Sequence, residues 1–99
     1  MLNPKQKAYL KSLAQKEKAV FQIGKDGLSD NLLTDVLNYL NKHELIKVSI
    51  LQNSFVTEEE IIEFFENEGI EFVEHKGRTF VFYMQSENAK NPIVLPKKK

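Results

Sequence analysis

Apolar and polar residues recur along the chain with two different periods, and their order predicts seven secondary-structure elements. Leu33, Val36, Leu37 and Leu40 follow one another at spacings of three and four, which places them on one face of a helix. Short runs enriched in β-branched and aromatic residues indicate strands. The predicted strands span residues 19–23, 46–51, 70–74 and 78–84.

Each predicted helix begins with a recognisable capping signal. Asn3 with Gln6, and Thr57 with Glu60, have the spacing of a capping box, in which two residues satisfy each other's backbone N–H groups. Ser29 can cap the second helix in the same way through its hydroxyl. The first helix should therefore run from the cap to about residue 15.

The element order α-β-α-β-α-β-β limits the possible topologies. Two consecutive right-handed crossovers would direct the first three strands alike and leave the last one antiparallel. If both crossover helices cover one face, the result is a two-layer α/β sandwich with a four-stranded mixed sheet and a more open second face. The apolar segment 80–83 should lie inside the sheet. We expect residues 1–84 to form this single domain and residues 85–99 to form a partly packed, basic C-terminal extension.

Composition narrows the class of protein. A chain of 99 residues with 41% apolar residues can form one compact core. It has no apolar run close to the roughly 20 residues that cross a bilayer. The absence of cysteine excludes disulfides, thiolate metal sites and thiol nucleophiles, and it is compatible with the cytoplasm. We therefore expect a cytoplasmic monomer without a membrane partner.

The net charge of zero conceals a strong asymmetry along the chain. Residues 1–27 carry six lysines against two acids (net +4), residues 28–75 two lysines against eleven acids (net −9), and residues 76–99 six basic residues against one acid (net +5). The folded protein should have a basic side built from both chain ends, which suits nucleic acid. A solvated lysine-rich helix and a frayed tail are the alternative interpretation.

The loop Gly24-Lys25-Asp26-Gly27 carries the strongest candidate chemistry. Its two glycines allow positive φ and a close approach of the backbone to a partner. The following helix N-terminus favours a phosphate, and Lys25 adds a positive charge. The same device forms the GxxG clamp of KH domains, which holds a nucleic-acid backbone. A strand-to-helix turn also needs glycine for structural reasons alone, and Asp26 opposes anion binding unless its side chain points away.

Several segments together resemble the CRM domain, the chloroplast RNA splicing and ribosome maturation family, and especially its free-standing bacterial YhbY-like members. These segments are KQKAYL (5–10), GKDGL (24–28), HELIKV (43–48), FVFY (80–83) and IVLP (93–96). The resemblance covers nearly the whole chain. It implies a sandwich like the C-terminal domain of the third bacterial translation initiation factor. It also implies binding to structured RNA and association with a maturing large (50S) ribosomal subunit.

This resemblance assigns RNA contacts first to the glycine loop and then to the lysines near the first helix. The basic turn before the last strand is a separate candidate for a peripheral phosphate contact. The candidate RNA-binding residues are Gly24, Lys25, Asp26, Gly27, Lys5, Lys7, Lys11, Lys18 and Arg78. The family often has an arginine after the last strand's tyrosine, where this chain has Met84.

No catalytic or metal-binding pattern is visible in the sequence. His43 and His75 lack metal-type spacing, and Glu58–Glu60 suit a solvated first helical turn that compensates the helix dipole. We therefore expect an RNA-binding protein of large-subunit assembly that is not an enzyme and has no cofactor and no metal. The alternative is a protein-interaction module that docks basic ribosomal proteins through its acidic third helix.

Overall fold

The computed structural model describes residues 2–25, 27–52, 54–89 and 93–94. Their elements follow the predicted order: α1 (Pro4–Ala14), β1 (Phe21–Ile23), α2 (Asp30–His43), β2 (Leu45–Ile50), α3 (Glu58–Glu66), β3 (Glu71–Lys76) and β4 (Thr79–Tyr83). The α/β class is therefore confirmed. The first strand begins at Phe21 and not at residue 19, and both Ala19 and Val20 are exposed.

The sheet has the strand order β1-β2-β4-β3. β1 pairs parallel with β2, whereas β4 runs antiparallel to both of its neighbours. The apolar last strand thus lies inside the sheet, as predicted, and the first three strands point in the same direction. Their C-terminal ends meet at one end of the sheet, which we term the upper end. The connections after Ile23, Ile50 and Lys76 leave the sheet there.

The main core lies between the sheet and the helices α2 and α3. Val36 and Leu40, from the predicted apolar stripe of α2, are fully buried, and Leu33 and Leu37 pack against them at the margin. Alternate residues of the strands point into the same core, as the two-residue period of a strand requires. The buried members of this cluster are Ile23, Val36, Leu40, Ile46, Val48, Ile61, Phe65, Ile70, Phe80 and Phe82.

Helix α1 packs on the opposite face of the sheet. Leu10 and Ala14 are buried there in a second cluster that includes Val81 and Tyr83 of β4. The sandwich of sheet and crossover helices is confirmed, but its second face is less open than predicted. The surface that buries Leu10 and Ala14 is created only when β2, β3 and β4 pair.

The predicted caps are present at all three helix starts. The Asn3 side chain accepts from the Gln6 N–H at 2.8 Å, and the Gln6 side chain accepts from the Asn3 N–H at 3.1 Å. Thr57 and Glu60 form the second capping box. The Ser29 hydroxyl accepts from a backbone N–H in the first turn of α2. Local sequence thus fixes where each helix begins, because these groups satisfy orphan donors.

Lys47 fixes the other end of α1 from the neighbouring sheet. Its Nζ donates to the carbonyl oxygens of Ala14 at 3.0 Å and Glu17 at 3.2 Å. A helix C-terminus leaves carbonyl groups without intrahelical partners and carries a partial negative charge, so an ammonium group stabilises it. Lys47 therefore contributes to the attachment of α1, which removes it from the set of lysines that can contact a ligand freely.

Glu44 joins α2 to β2 and holds the segment that follows β4. It is 1% exposed and takes a left-handed conformation with φ 64° at the helix C-terminus, a position that usually suits glycine or asparagine. Its carboxylate oxygens accept from the backbone N–H groups of Ser86 at 2.7 Å and Ile93 at 2.6 Å. No local sequence pattern reveals this role of Glu44, since its partners lie more than forty residues away.

The phenol of Tyr83 should make the stability of the fold pH-dependent in the alkaline range. Burial raises its pKa above the ordinary value of 10.0, and the carboxylates of Glu44 and Glu71 raise it further. A group whose pKa is raised on folding contributes fully below the unfolded-state pKa, and its contribution is lost as pH rises through the folded-state pKa. We expect the free energy of unfolding to fall above about pH 10, and to fall less steeply in Tyr83→Phe.

Urea unfolding at a series of alkaline pH values measures this effect. Tyr9→Phe is the matched control, since Tyr9 is 38% exposed on α1 and loses the same hydroxyl. Equal pH dependence in Tyr83→Phe and Tyr9→Phe would contradict the prediction.

Candidate nucleic-acid interface

The glycine loop forms a closed turn at the upper end of the sheet. The Gly27 N–H donates to the Gly24 carbonyl oxygen at 3.0 Å, which closes a four-residue turn directly after β1. Gly27 has φ 68°, whereas Gly24 is not among the glycines with positive φ. The predicted need for positive φ therefore holds at Gly27 and is wrong at Gly24. Asp26 lies outside the described residues, and Lys25 is exposed.

Both glycines also pack closely on the connection between β2 and α3. A Cβ atom on Gly24 would lie 3.3 Å from Leu51 Cδ1, and one on Gly27 would lie 3.1 Å from Val56 Cγ2. At these distances the neighbouring side chain must move to admit a methyl group. The glycines thus have a structural role on their inner side, and the Lys25 side chain between them is exposed to solvent.

The turn leads directly into the N-terminus of α2. The first N–H groups of a helix have no intrahelical partners, and the helix dipole is positive at this end. Ser29 satisfies one of them at 3.1 Å, and Asp30 already places one carboxylate in the first turn. The arrangement can hold a phosphate next to the Lys25 ammonium. Among the described acidic residues, exposed Asp30 is the nearest to Lys25 on its C-terminal side along the chain.

Backbone hydrogen bonds fix the three upper connections side by side. The Leu51 N–H donates to the Ile23 carbonyl at 2.9 Å, and the Ile50 N–H donates to the Arg78 carbonyl at 2.7 Å. Arg78 and the segment after β2 line a cavity of about 530 Å³. The glycine loop and Arg78, which are 51 or more residues apart in sequence, therefore lie at the same end of the sheet.

Acidic groups border this cavity as well. Glu58 and Glu59, in the first turn of α3, line it beside Arg78. The Glu58 carboxylate lies 3.0 Å from His75 Nε2, so part of its charge is balanced when the imidazole is protonated. Phe55, in the connection between β2 and α3, is 91% exposed. The cations Lys25 and Arg78 thus lie at the glycine loop and at the turn between β3 and β4, whereas Glu58 and Glu59 lie at the start of α3.

Of the candidate lysines near α1, Lys11 lies beside the hairpin formed by β3 and β4. It lines a groove of about 310 Å³ together with Lys47, Glu74, Lys76 and Thr79. The polar side chains of Gln22, Ser49 and Thr79 occupy neighbouring register positions on this face and continue the groove toward β1. Sequence reasoning did not assign a role to this polar strip, because strand pairing alone brings its members together.

The remaining candidate lysines lie farther from the loop. Lys5 and Lys7 belong to the first half of α1. The start of this helix lies at the opposite, lower end of the sheet, where the Leu2 N–H donates to Oε1 of Glu71, the first residue of β3, at 3.0 Å. Lys18 lies in the exposed connection before β1. The structure therefore gathers Gly24, Lys25 and Gly27 with Arg78 at one end, and it places Lys11 on the adjoining face.

None of the three helices described is long and apolar enough to span a membrane. The described His, Asp and Glu residues form no group of three that could hold a metal ion.

The mixed four-stranded sheet, with a glycine-flanked turn between its edge strand and a helix, forms a small α/β domain. The family model of the CRS1 / YhbY (CRM) domain matches residues 2–84. The chain belongs to this family.

Full-length relatives support the assignment. The Bacillus subtilis protein named "Probable RNA-binding protein YqeI" is 37% identical over 97 residues, which cover 97% of this chain and all of that protein. A Haemophilus influenzae protein named "RNA-binding protein" is 39% identical over 98 residues, covering 98% and 97% of the two chains. The solution structure of a hypothetical Staphylococcus aureus protein, proposed to bind RNA, matches with a TM-score of 0.79 and 39% identity over 97% of this chain and 100% of that one.

Proposed function

We propose that the protein binds ribosomal RNA during assembly of the large ribosomal subunit, through the Gly24–Gly27 loop and the basic groups around it. The closed turn carries this proposal: it places the exposed Lys25 side chain directly before the N-terminus of α2. The names of the relatives support RNA as the ligand. The likeness to the YhbY-like members supports the ribosomal subunit as its source.

The geometry favours recognition of RNA shape and backbone over base sequence. Lys25 and Arg78 are exposed cations at the upper end, and Lys11 and Lys76 border the groove on the adjoining face. Hydroxyl and amide groups of the polar strip lie between these cations and can contact phosphate or ribose. We infer that a structured RNA lies across the loop and the hairpin, with its backbone toward the cations.

Lys25→Ala tests the proposal with little risk to the fold, because Lys25 is exposed. Affinity for a large-subunit ribosomal RNA fragment should fall. The slope of log K against log salt should decrease in magnitude by about 0.7 if one phosphate contact to single-stranded RNA is lost. Fluorescence anisotropy over a salt series measures both quantities.

Lys16→Ala is the matched control, since Lys16 is also exposed but lines a cavity with Leu45 at the lower end of the sheet. If Lys25→Ala keeps the wild-type slope of log K against log salt, or if both variants change this slope equally, a phosphate contact at the loop would be contradicted.

The alternative of protein docking through α3 finds less support. Glu60 is engaged in its own capping box, and Glu58 faces His75. Pull-downs before and after nuclease treatment separate the two functions, because RNA-mediated partners are released by the nuclease. Ribosomal proteins that stay bound after complete RNA removal would favour docking and count against the RNA proposal.

A further inference from the structure

A cleft between the edge strand β1 and the C-terminal half of α2 has no role in the proposed upper surface. Its volume is about 320 Å³, and its lining residues are Phe21, Asp35, Asn38, Tyr39, Lys42 and His43. Three of these residues have aromatic rings, and the others supply a carboxylate, an amide and an ammonium group. This combination differs from an ordinary apolar groove, because flat ring surfaces and charged or hydrogen-bonding groups line the same space.

The aromatic rings form a continuous cluster that is anchored on its inner side. Tyr39 contacts Phe21 edge to face, with ring centroids 6.0 Å apart, and it lies 4.3 Å from the His43 ring at an angle of 33°. Phe21 and Tyr39 are half-buried and pack against the main core, whereas His43 is exposed. A ring surface held in this way is available for stacking without a large loss of side-chain freedom.

The polar groups of the cleft lie beside the aromatic rings, where they can contact the base and phosphate of a nucleotide. Asp35, Asn38 and Lys42 are exposed and share one face of α2 with Tyr39, since their spacings are three and four. The Asn38 amide can both donate to and accept from a base edge, and Lys42 can contact a phosphate.

The cleft and the glycine loop lie at two points along the same helix. With a rise of 1.5 Å per residue, Tyr39 lies about 14 Å along α2 from its first residue, Asp30. Stacked nucleotides are spaced about 3.4 Å apart, so roughly four of them span this distance. A single-stranded segment held at the loop can therefore reach the aromatic rings by following the free edge of β1.

We propose that this cleft is a nucleobase-binding subsite, in which a base stacks on the Tyr39–His43 rings and contacts Asn38 while Lys42 neutralises the adjoining phosphate. The base belongs to the RNA strand held at the Gly24–Gly27 loop, and in this respect the inference rests on the proposed function. A base in this cleft adds a single-stranded contact to an interface that otherwise depends on the RNA backbone.

Tyr39→Leu tests the subsite in the RNA complex. It removes the stacking surface but keeps an apolar side chain against Phe21 and the core. For a single-stranded RNA of about eight nucleotides we expect about tenfold weaker binding. Tyr9→Leu makes the same change on α1, on the opposite side of the sheet, and should bind as the wild type does. Asn38→Ala, at an exposed position inside α2, should weaken binding without lowering the temperature of thermal unfolding.

A titration of the full-length, ¹⁵N-labelled protein with adenosine 5′-monophosphate and with uridine 5′-monophosphate separates the two proposals. We expect saturable shifts at the amides of Asn38, Tyr39 and His43 in the wild type and in Tyr9→Leu, and their loss in Tyr39→Leu. Shifts confined to the upper end, with unchanged RNA affinity in Tyr39→Leu and Asn38→Ala, would overturn the subsite and leave RNA binding intact. Saturable shifts at the cleft without any affinity for ribosomal RNA would retain a nucleotide site and overturn the proposed function.

Discussion

Replacing Glu44 with alanine is expected to lower the free energy of unfolding by about 3 kcal/mol. The buried carboxylate accepts from the Ser86 and Ile93 N–H groups, and truncation leaves both donors without this partner. Hydrogen bonds to charged groups contribute about 1.5–3 kcal/mol each. For a domain of this size the loss corresponds to a decrease in Tm on the order of 15 °C, which calorimetry or circular dichroism can measure.

Two further variants separate the causes of this loss. Glu44→Gln keeps the side-chain size and one oxygen acceptor, so it should lower the free energy of unfolding less than Glu44→Ala does. Glu44→Gly removes both acceptors but relieves the positive φ of 64°, so it should be less destabilising than alanine by about 1 kcal/mol. Hydrogen exchange at Ser86 and Ile93 should accelerate in all three. A Tm within about 2 °C of the wild type for Glu44→Ala would contradict the anchoring role.

Gly27→Asp is expected to weaken RNA binding by about 2 kcal/mol, or roughly thirtyfold. The new carboxylate would place negative charge at the turn proposed to hold a phosphate. Its Cβ would also lie 3.1 Å from Val56 Cγ2 in a backbone with φ 68°, so the turn itself must shift. The double variant Gly24→Asp/Gly27→Asp should lose still more affinity. Anisotropy with a ribosomal RNA fragment at one fixed salt concentration measures the change.

Gly69→Asp is the matched control for this substitution. Gly69 also has positive φ, 83°, and it follows α3 at the lower end of the sheet, where a Cβ atom would meet nothing within 4 Å. The substitution should reduce stability by a similar backbone strain while leaving RNA affinity unchanged. Equal losses of affinity in Gly27→Asp and Gly69→Asp, or none in the double variant, would contradict the loop as the RNA contact.

The sequence predicted the helix starts well because a cap is a local interaction. Each cap joins residues three apart, so its geometry depends on little beyond the segment itself. The interior position of β4 was also predictable, since a strand that is apolar on both faces must be covered on both. The start of β1 was less predictable, because Val20 has the β-branched side chain typical of strands but lies, like Ala19, before the first paired residue, Phe21.

The candidate site was predicted only in part. Spacing identified Gly24 and Gly27 but attributed positive φ to both, whereas the space at Gly24 is limited by Leu51 from another connection. Charge patterning identified the lysines, yet it could not show that Lys47 is engaged by the end of α1. Nor could it identify the cleft beside Tyr39, since Phe21 and α2 meet only in the folded domain.

By itself, the sequence determined the order of the elements, the caps of the helices and the position of the glycine turn between a strand and a helix. These features depend on backbone preferences and on side chains a few residues apart. Only the tertiary structure decided that α1 covers the second face, that Arg78 lies at the same end as the loop, and that Glu44 holds the C-terminal segment. Each of these depends on strand pairing and burial between distant residues, for which a local pattern carries no information.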